Sequence, residues 1–418
     1  MVEELKRIPN KIPLEQFDIG SFNKDKIREL FRSGKMPTAE IMVDEILLRA
    51  VKSGANELHI EPAESELRIR LGHDGVLRRL VSLPRDISDN LGNVIKTKAN
   101  LNAFEKKKPQ EGRFSILFGT YQVDIRVSTL PILTGERFAL RLLHKSASTA
   151  KLENLGFSKE NLERVKTLLR RSTGLLLVTG PAGSGKSTTA YATVNYLQAP
   201  DKNIITVENP IEDRLDFAAQ VTTSSEQGFT FVDALKAILR QSPDVIMVGE
   251  IRDAETGTVA AEAALTGNFV LTTMLSSDAI GAILRALNLG VPPYWLSSAL
   301  IGVVHQQLIR KICDACKEEH EPTEVENAAL FSVLSGTNKF YRGKGCEKCD
   351  GSGFRGRTAI HEVLMITDKM RDLIYQQASI VEIRETARLG GFENILQDAV
   401  KKVTSGVTSI SEFIRVLA

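Results

Sequence analysis

Two groups of residues in this chain have the types and spacing needed for chemistry. The first, Gly180-Pro181-Ala182-Gly183-Ser184-Gly185-Lys186-Ser187, has the G-x4-G-K-S pattern of a loop that wraps phosphates, set between an apolar strand and a helix. Its glycines let backbone N–H groups close around phosphate oxygens without Cβ interference, and the following helix N-terminus adds partial positive charge. In such a loop Lys186 reaches the β- and γ-phosphates of a nucleotide and Ser187 ligates Mg2+, while Thr188 and Thr189 contact phosphate or cap the first turn. The second group is Cys313, Cys316, Cys346 and Cys349, a C-x2-C, x29, C-x2-C array that uses every cysteine in the chain. Zn2+ takes four ligands tetrahedrally, and a two-residue spacer lets each knuckle supply two thiolates. The plainer alternative is four unrelated buried thiols. A disulfide framework suits small oxidised domains rather than 418 residues with 42% hydrophobic content.

Two acidic segments complete the first group. Asp244-Val-Ile-Met-Val-Gly-Glu250 is an apolar strand that delivers a carboxylate just past its end, where a doubly wound sheet binds its ligand, which makes Glu250 the Mg2+-side carboxylate. Ile204-Ile-Thr-Val-Glu-Asn-Pro-Ile-Glu212 repeats the logic, with Pro210 forcing a turn. Glu212 is read here as the base that polarises water, with Glu208 the alternative, because only geometry decides a general base.

The elements that must position these groups fall into two domains. Residues 1–38 read as an arm or linker with a short helix around Lys24 to Phe31. Residues 39–147 read as α+β: a helix from Ala39 to Ser53, alternating segments at Glu66 to Leu71 and Val123 to Ser128, a turn at Gly135-Glu136-Arg137, then Phe138 to Leu143. Lys145 to Lys151 is polar and small, a hinge. Residues 148–418 read as α/β, with strands at Leu175 to Thr179, Ile204 to Val207, Val245 to Val248 and Phe269 to Thr273 forming a parallel sheet covered on both faces. Helices are expected at Lys186 to Leu197, Phe231 to Gln241 and Ala254 to Leu265, followed by a zinc insert at about 310–357 and C-terminal helices at about 365–418.

Composition narrows the function classes. A formal net charge of +2 argues against a polyanion-binding protein as a whole, although Lys106-Lys107-Lys108 is a local basic run. The start carries acids where an export signal is basic, and no apolar stretch approaches the roughly 20 residues of a membrane span. Any membrane connection is therefore expected to come through a protein partner.

These segments occur in an order that carries a family resemblance. Ala55-Asn-Glu-Leu-His-Ile-Glu-Pro62, Asp74-Gly-Val-Leu-Arg78, Pro109-Gln-Glu-Gly-Arg113, Val123-Asp-Ile-Arg-Val-Ser-Thr129, Gly135-Glu-Arg137, the phosphate loop, Val207-Glu-Asn-Pro-Ile-Glu212, Val248-Gly-Glu-Ile-Arg-Asp253 and the knuckles with Gly353-Phe-Arg-Gly-Arg357 run nearly end to end. The chain resembles the secretion ATPases of type II secretion and type IV pilus assembly machines, and its zinc knuckles favour the assembly branch over retraction motors. The resemblance implies a RecA-like P-loop motor domain preceded by a PAS-like domain. It also implies a cytoplasmic homohexamer that hydrolyses ATP with Mg2+ beneath an inner-membrane platform protein and so drives pilin or pseudopilin assembly. Arg113, Arg126 and Arg141 are then candidates to reach the nucleotide and neutralise charge developing on the γ-phosphoryl group. The chain departs from the family pattern at three places. Asn209 replaces an aspartate, Leu275 replaces the histidine of a Thr-Leu-His-Thr box, and Gln307 replaces an arginine, with His305 close by. About 38 residues before the first domain are also too few for the separate docking domain usual in assembly members. A regulatory or scaffold paralogue with weak hydrolysis is the competing reading. A nucleic-acid motor is disfavoured by the lack of basic excess and of aromatic stacking clusters.

Overall fold

The computed structural model describes residues 38–118, 121–144, 149–224, 228–331 and 339–417, so the expected helix around Lys24 and most of the expected hinge lie outside the described residues. Contacts divide the chain into two units, Met1–Lys145 and Ser146–Ala418. Among the described residues no helix is long and apolar enough to cross a membrane.

The first unit is an antiparallel sheet of β1 (Glu57–Pro62), β2 (Glu66–His73), β3 (Val76–Pro84), β4 (Gln110–Phe118), β5 (Tyr121–Ile132) and β6 (Gly135–His144), in the order β3-β2-β1-β6-β5-β4. Alternation along the strands sends Leu58, Ile60, Leu67, Ile69, Ile125, Val127 and Leu140 to one face, where they share a core with the helices Ala39–Lys52 and Ser88–Lys98. Thr38 caps the first of these helices by accepting a hydrogen bond from Ile41 N. Asp74 and Gly75, with φ of 51° and 79°, supply the two left-handed positions of the tight turn joining β2 to β3.

The second unit holds β7 (Gly174–Thr179), β8 (Ile204–Glu208), β9 (Ala219–Thr222), β10 (Val245–Val248), β11 (Phe269–Met274) and β12 (Leu300–Ile312). It also holds the short pair β13 (Lys317–His320) and β14 (Phe340–Gly343), and β15 (Phe354–Met365). The main sheet runs β15-β12-β7-β11-β10-β8-β9. Leu175 and Leu177 of β7 enter one core and Leu176 and Val178 the other, so burial on both faces explains the unbroken apolar runs of these strands.

One edge departs from the expected parallel sheet. β15 pairs antiparallel with β12, from Gly302 opposite Met365 to Ile312 opposite Phe354. The reason is topological: the chain leaves β12 for the cysteine segment and returns along the same edge, so the returning strand must reverse. Helices Ile395–Thr404 and Ile410–Leu417 pack on this outer pair through Ile309 and Ile360. Fully buried Glu412 ties the second of these helices to β12. It accepts from Arg310 N, Nε and Nη2 at 2.9, 2.9 and 2.7 Å and from Arg415 Nε and Nη2 at 2.7 and 2.6 Å. The Arg310 guanidinium also lies 4.1 Å from the Phe354 ring centroid.

Candidate nucleotide and metal sites

β7 ends at Thr179, and the phosphate loop leads into the helix Lys186–Leu197. Gly180, Gly183 and Gly185 have φ of 152°, 74° and 86°, a region that side chains avoid. Gly180 has a second reason to be glycine, since a Cβ there would lie 2.3 Å from the Gln306 carbonyl oxygen of β12. Lys186 Nζ donates to the carbonyls of Gly180 and Pro181 at 3.0 and 2.8 Å, which holds the ammonium within the curve of the loop. Burial lowers its pKa, and the carboxylates of Glu250 and Glu212 act on it in the opposite direction. The two strand-end acids and the loop lysine therefore share one electrostatic neighbourhood. Ser187 and Thr188 are half-buried in the first helical turn. Ser184 Oγ is buried and, among the described residues, has no hydrogen-bond partner. This glycine cradle, with a lysine and two carboxylates around it, fits a polyphosphate and its metal.

The structure separates the two candidate bases by burial. Glu208 is 4% exposed and accepts from Tyr191 Oη at 2.6 Å, Thr206 Oγ1 at 2.6 Å and Gln220 Nε2 at 3.2 Å. Its oxygens are occupied by protein donors. Glu212 lies four residues beyond β8 and is exposed. Glu250, two residues past β10, is 31% exposed and paired with Arg252. Thr273 Oγ1 donates to the Gly249 carbonyl at 2.7 Å, and Ile251 N donates to the Thr273 carbonyl at 3.0 Å, so the end of β11 grips the segment that carries Glu250. Leu275 follows two residues later and is 43% exposed, and Asn209 is exposed beside Pro210.

Gln306 was overlooked in the sequence. It is 1% exposed, donates from Nε2 to the Ser184 carbonyl at 2.7 Å and accepts from Thr189 Oγ1 at 2.7 Å, so β12 holds both the phosphate loop and its helix. An amide within the apolar run Leu300–Ile312 was the available signal, since a buried amide needs partners. Its neighbour His305 lies against Thr179 Oγ1 at 3.3 Å, and burial brings its pKa down to about 4. It is neutral at physiological pH.

The four cysteines converge. Among the described residues they form a cluster whose Sγ atoms all lie within 4.8 Å of one another, with Cys313–Cys346, Cys316–Cys349 and Cys346–Cys349 at 3.9, 3.8 and 3.7 Å. Four sulfurs at about 2.3 Å from a tetrahedral Zn2+ stand about 3.8 Å apart, so the cage fits that ion, whereas a disulfide needs about 2.05 Å. Gly345 N donates to Cys316 Sγ at 3.3 Å, and Cys346 N and Gly353 N donate to Cys349 Sγ at 3.2 and 3.3 Å, contacts that favour thiolates. A Cβ on Gly343 would lie 1.9 Å from the Gly353 carbonyl, so glycine is needed where the knuckles cross. His320 is engaged with Glu326 Oε2 at 2.8 Å.

Arg113, Arg126 and Arg141 belong to the first unit. They face one another across β4, β5 and β6, and Glu57 of β1 closes the row, 3.5 Å from Arg141. Like charges placed directly opposite in a sheet oppose its stability.

With this geometry in place, comparison with known proteins is informative. A family described as type II/IV secretion system protein matches residues 33–415. The type II secretion system protein E of Pseudomonas aeruginosa is 43% identical over 375 residues, covering 90% of this chain and 74% of that protein. The type IV pilus assembly ATPase PilB of Thermus thermophilus is 40% identical over 90% of this chain and 42% of its own length. The crystal structure of the pilus retraction motor PilT with bound ADP aligns at a TM-score of 0.58 and 25% identity, covering 89% of this chain and 95% of that one. On the ordered motifs, the fold and these matches together, the chain belongs to the type II/IV secretion system protein family.

Proposed function

We propose that this chain is a Mg2+-dependent ATPase of a pilus assembly or type II secretion machine. In this reading it works as a cytoplasmic homohexamer beneath an inner-membrane platform protein and turns hydrolysis into domain motion that drives pilin or pseudopilin assembly. The observation that carries the reading is the phosphate loop at the end of β7, with Glu212 and Glu250 following the corresponding ends of β8 and β10 in the same parallel run of strands. The backbone N–H groups of the loop from Ala182 to Thr188 and the Lys186 ammonium bind the phosphates of ATP. Ser187 and Glu250 are the residues to hold Mg2+, which neutralises charge on the phosphates when bound. Glu212, exposed and free of the donors that occupy Glu208, orients the attacking water and takes its proton. Arg113, Arg126 and Arg141 are, in this reading, the arginines that neutralise charge developing on the γ-phosphoryl group. Cys313, Cys316, Cys346 and Cys349 hold a structural Zn2+ in the insert at about 310–357.

A second reading, a regulatory or scaffold paralogue with weak hydrolysis, draws on Leu275, an apolar residue exposed beside the segment that carries Glu250. Steady-state ATPase assays with oligomeric mass decide between them. Active wild type, with Lys186→Ala losing both binding and turnover and Glu212→Gln keeping binding alone, supports the motor. Wild type that binds ATP without turning it over supports the paralogue.

A further inference from the structure

The helix that begins at the phosphate loop carries a tyrosine whose hydroxyl reaches the opposite wall of the site. Tyr191 is buried, five residues beyond Lys186, and Oη donates to Glu208 Oε2 at 2.6 Å. The same oxygen accepts the backbone N–H of Asp213 at 3.2 Å. Asp213 is the residue next to Glu212, on the segment between β8 and β9. Gln220 of β9 grips that segment from its other side, with Nε2 donating to the Asp213 carbonyl at 2.9 Å and Oε1 accepting from Leu215 N at 2.8 Å. Glu212 is thus the last residue before a clamp made by one phenol and one amide, and the phenol stands on the helix that holds the nucleotide's phosphates.

We infer that Tyr191 is a positioning residue that fixes the Glu212 carboxylate relative to the phosphate loop, with Glu208 serving as the buried acceptor that orients the phenol. The inference rests on the reading of Glu212 as the base. Burial, followed by the Glu208 carboxylate, pushes the Tyr191 pKa well above its usual value, so the hydroxyl keeps its proton and its direction. A base displaced by a fraction of an ångström loses rate while substrate affinity survives, because its alignment is used only in the transition state. This role differs from support of the fold, which would weaken binding and turnover together.

The test is Tyr191→Phe, which keeps the ring and removes the hydroxyl, measured by single-turnover ATP hydrolysis and by ATP affinity, alone and combined with Glu212→Gln. The expected result is a fall in rate of roughly 10- to 100-fold with affinity within about twofold, and no further loss in the double variant, because one group acts through the other. A normal rate for Tyr191→Phe beside a slow Glu212→Gln overturns this inference alone. So does a parallel loss of rate and affinity, or a multiplicative loss in the double variant. Normal turnover by Glu212→Gln overturns the choice of base, and this inference with it. Where melting shows that Tyr191→Phe has not folded, Gln220→Leu releases the same segment from the β9 side and carries the same expected and opposing results.

Discussion

Gln306→Leu isolates the grip of β12 on the phosphate loop. Leucine is close to glutamine in volume and the site is buried, so packing is little disturbed and the change removes two hydrogen bonds of 2.7 Å each. The losses are unequal. The Thr189 hydroxyl can turn back to the Gly185 carbonyl, the acceptor of its own N–H at 3.1 Å, as threonines in helices commonly do. The Ser184 carbonyl must find a new donor inside a buried segment, and a buried acceptor left unsatisfied costs about 1–3 kcal/mol, with about 1 kcal/mol more for the displaced hydroxyl. A total of about 2–4 kcal/mol falls on the loop, and a factor of ten corresponds to 1.4 kcal/mol. If release of the loop relieves the cost, ATP affinity drops roughly 30- to 700-fold while global stability is kept. If the loop stays closed, the same energy appears in urea unfolding. Titration with a fluorescent ATP analogue and urea denaturation therefore measure one sum in two places. A combined change below about 0.5 kcal/mol would refute the reasoning.

Other outcomes follow from the same geometry. Purified protein should carry one zinc per chain by metal analysis, and a Cys313→Ser/Cys346→Ser double variant should carry none; zinc-free wild type prepared without chelator would remove the site. Leu275→His should raise ATP turnover by about 10-fold or more at matched protein concentration, because an exposed apolar side chain can neither donate to phosphate nor carry charge; an unchanged rate would mean that other residues sense the γ-phosphate. Glu412→Gln should lower unfolding free energy by about 3 kcal/mol, since it strips two arginines of their shared buried partner. The Glu412 carboxyl is held below its ordinary value despite burial, by hydrogen bonds from Arg415 and Arg310. Its contribution is therefore complete above the unfolded pKa of 4.5 and is lost as pH falls through the folded value, so urea unfolding of wild type should lose stability more steeply in acid than the variant.

The central strands and their helices were legible because burial on both faces writes apolar runs such as Leu175 to Val178 into the sequence. The helix expected at Phe231 to Gln241 appears as Phe231–Ile238 running into a tighter final turn, Leu239–Gln241. β12 was not legible. His305, Gln306, Gln307 and Arg310 interrupt its apolar pattern, and what lets three of them stay there is a set of distant partners: Thr179, then Ser184 with Thr189, then Glu412. No local window contains those partners. Glu208 and Glu212 are likewise the same residue type on one segment, and only burial and donors tell them apart. The arginine row needed the register of three strands. Type and spacing singled out the candidate residues, while the contacts that support them depend on long-range pairing.

β12 has a thermodynamic consequence. Gln306 grips the phosphate loop, and Cys313 follows directly on the last residue of the same strand, seven residues along, or about 23 Å in extended chain. A bulge between Arg310 and Ile312 is the one irregularity in its pairing with β15. Two ligands that bias a single element are bound by reciprocity: whatever factor ATP applies to zinc affinity, zinc applies to ATP affinity. On the proposed reading, in which β12 serves both an ATP site and a zinc site, zinc titrations with and without ATP measure that shared factor, and a ratio of one would show that the strand transmits nothing between them.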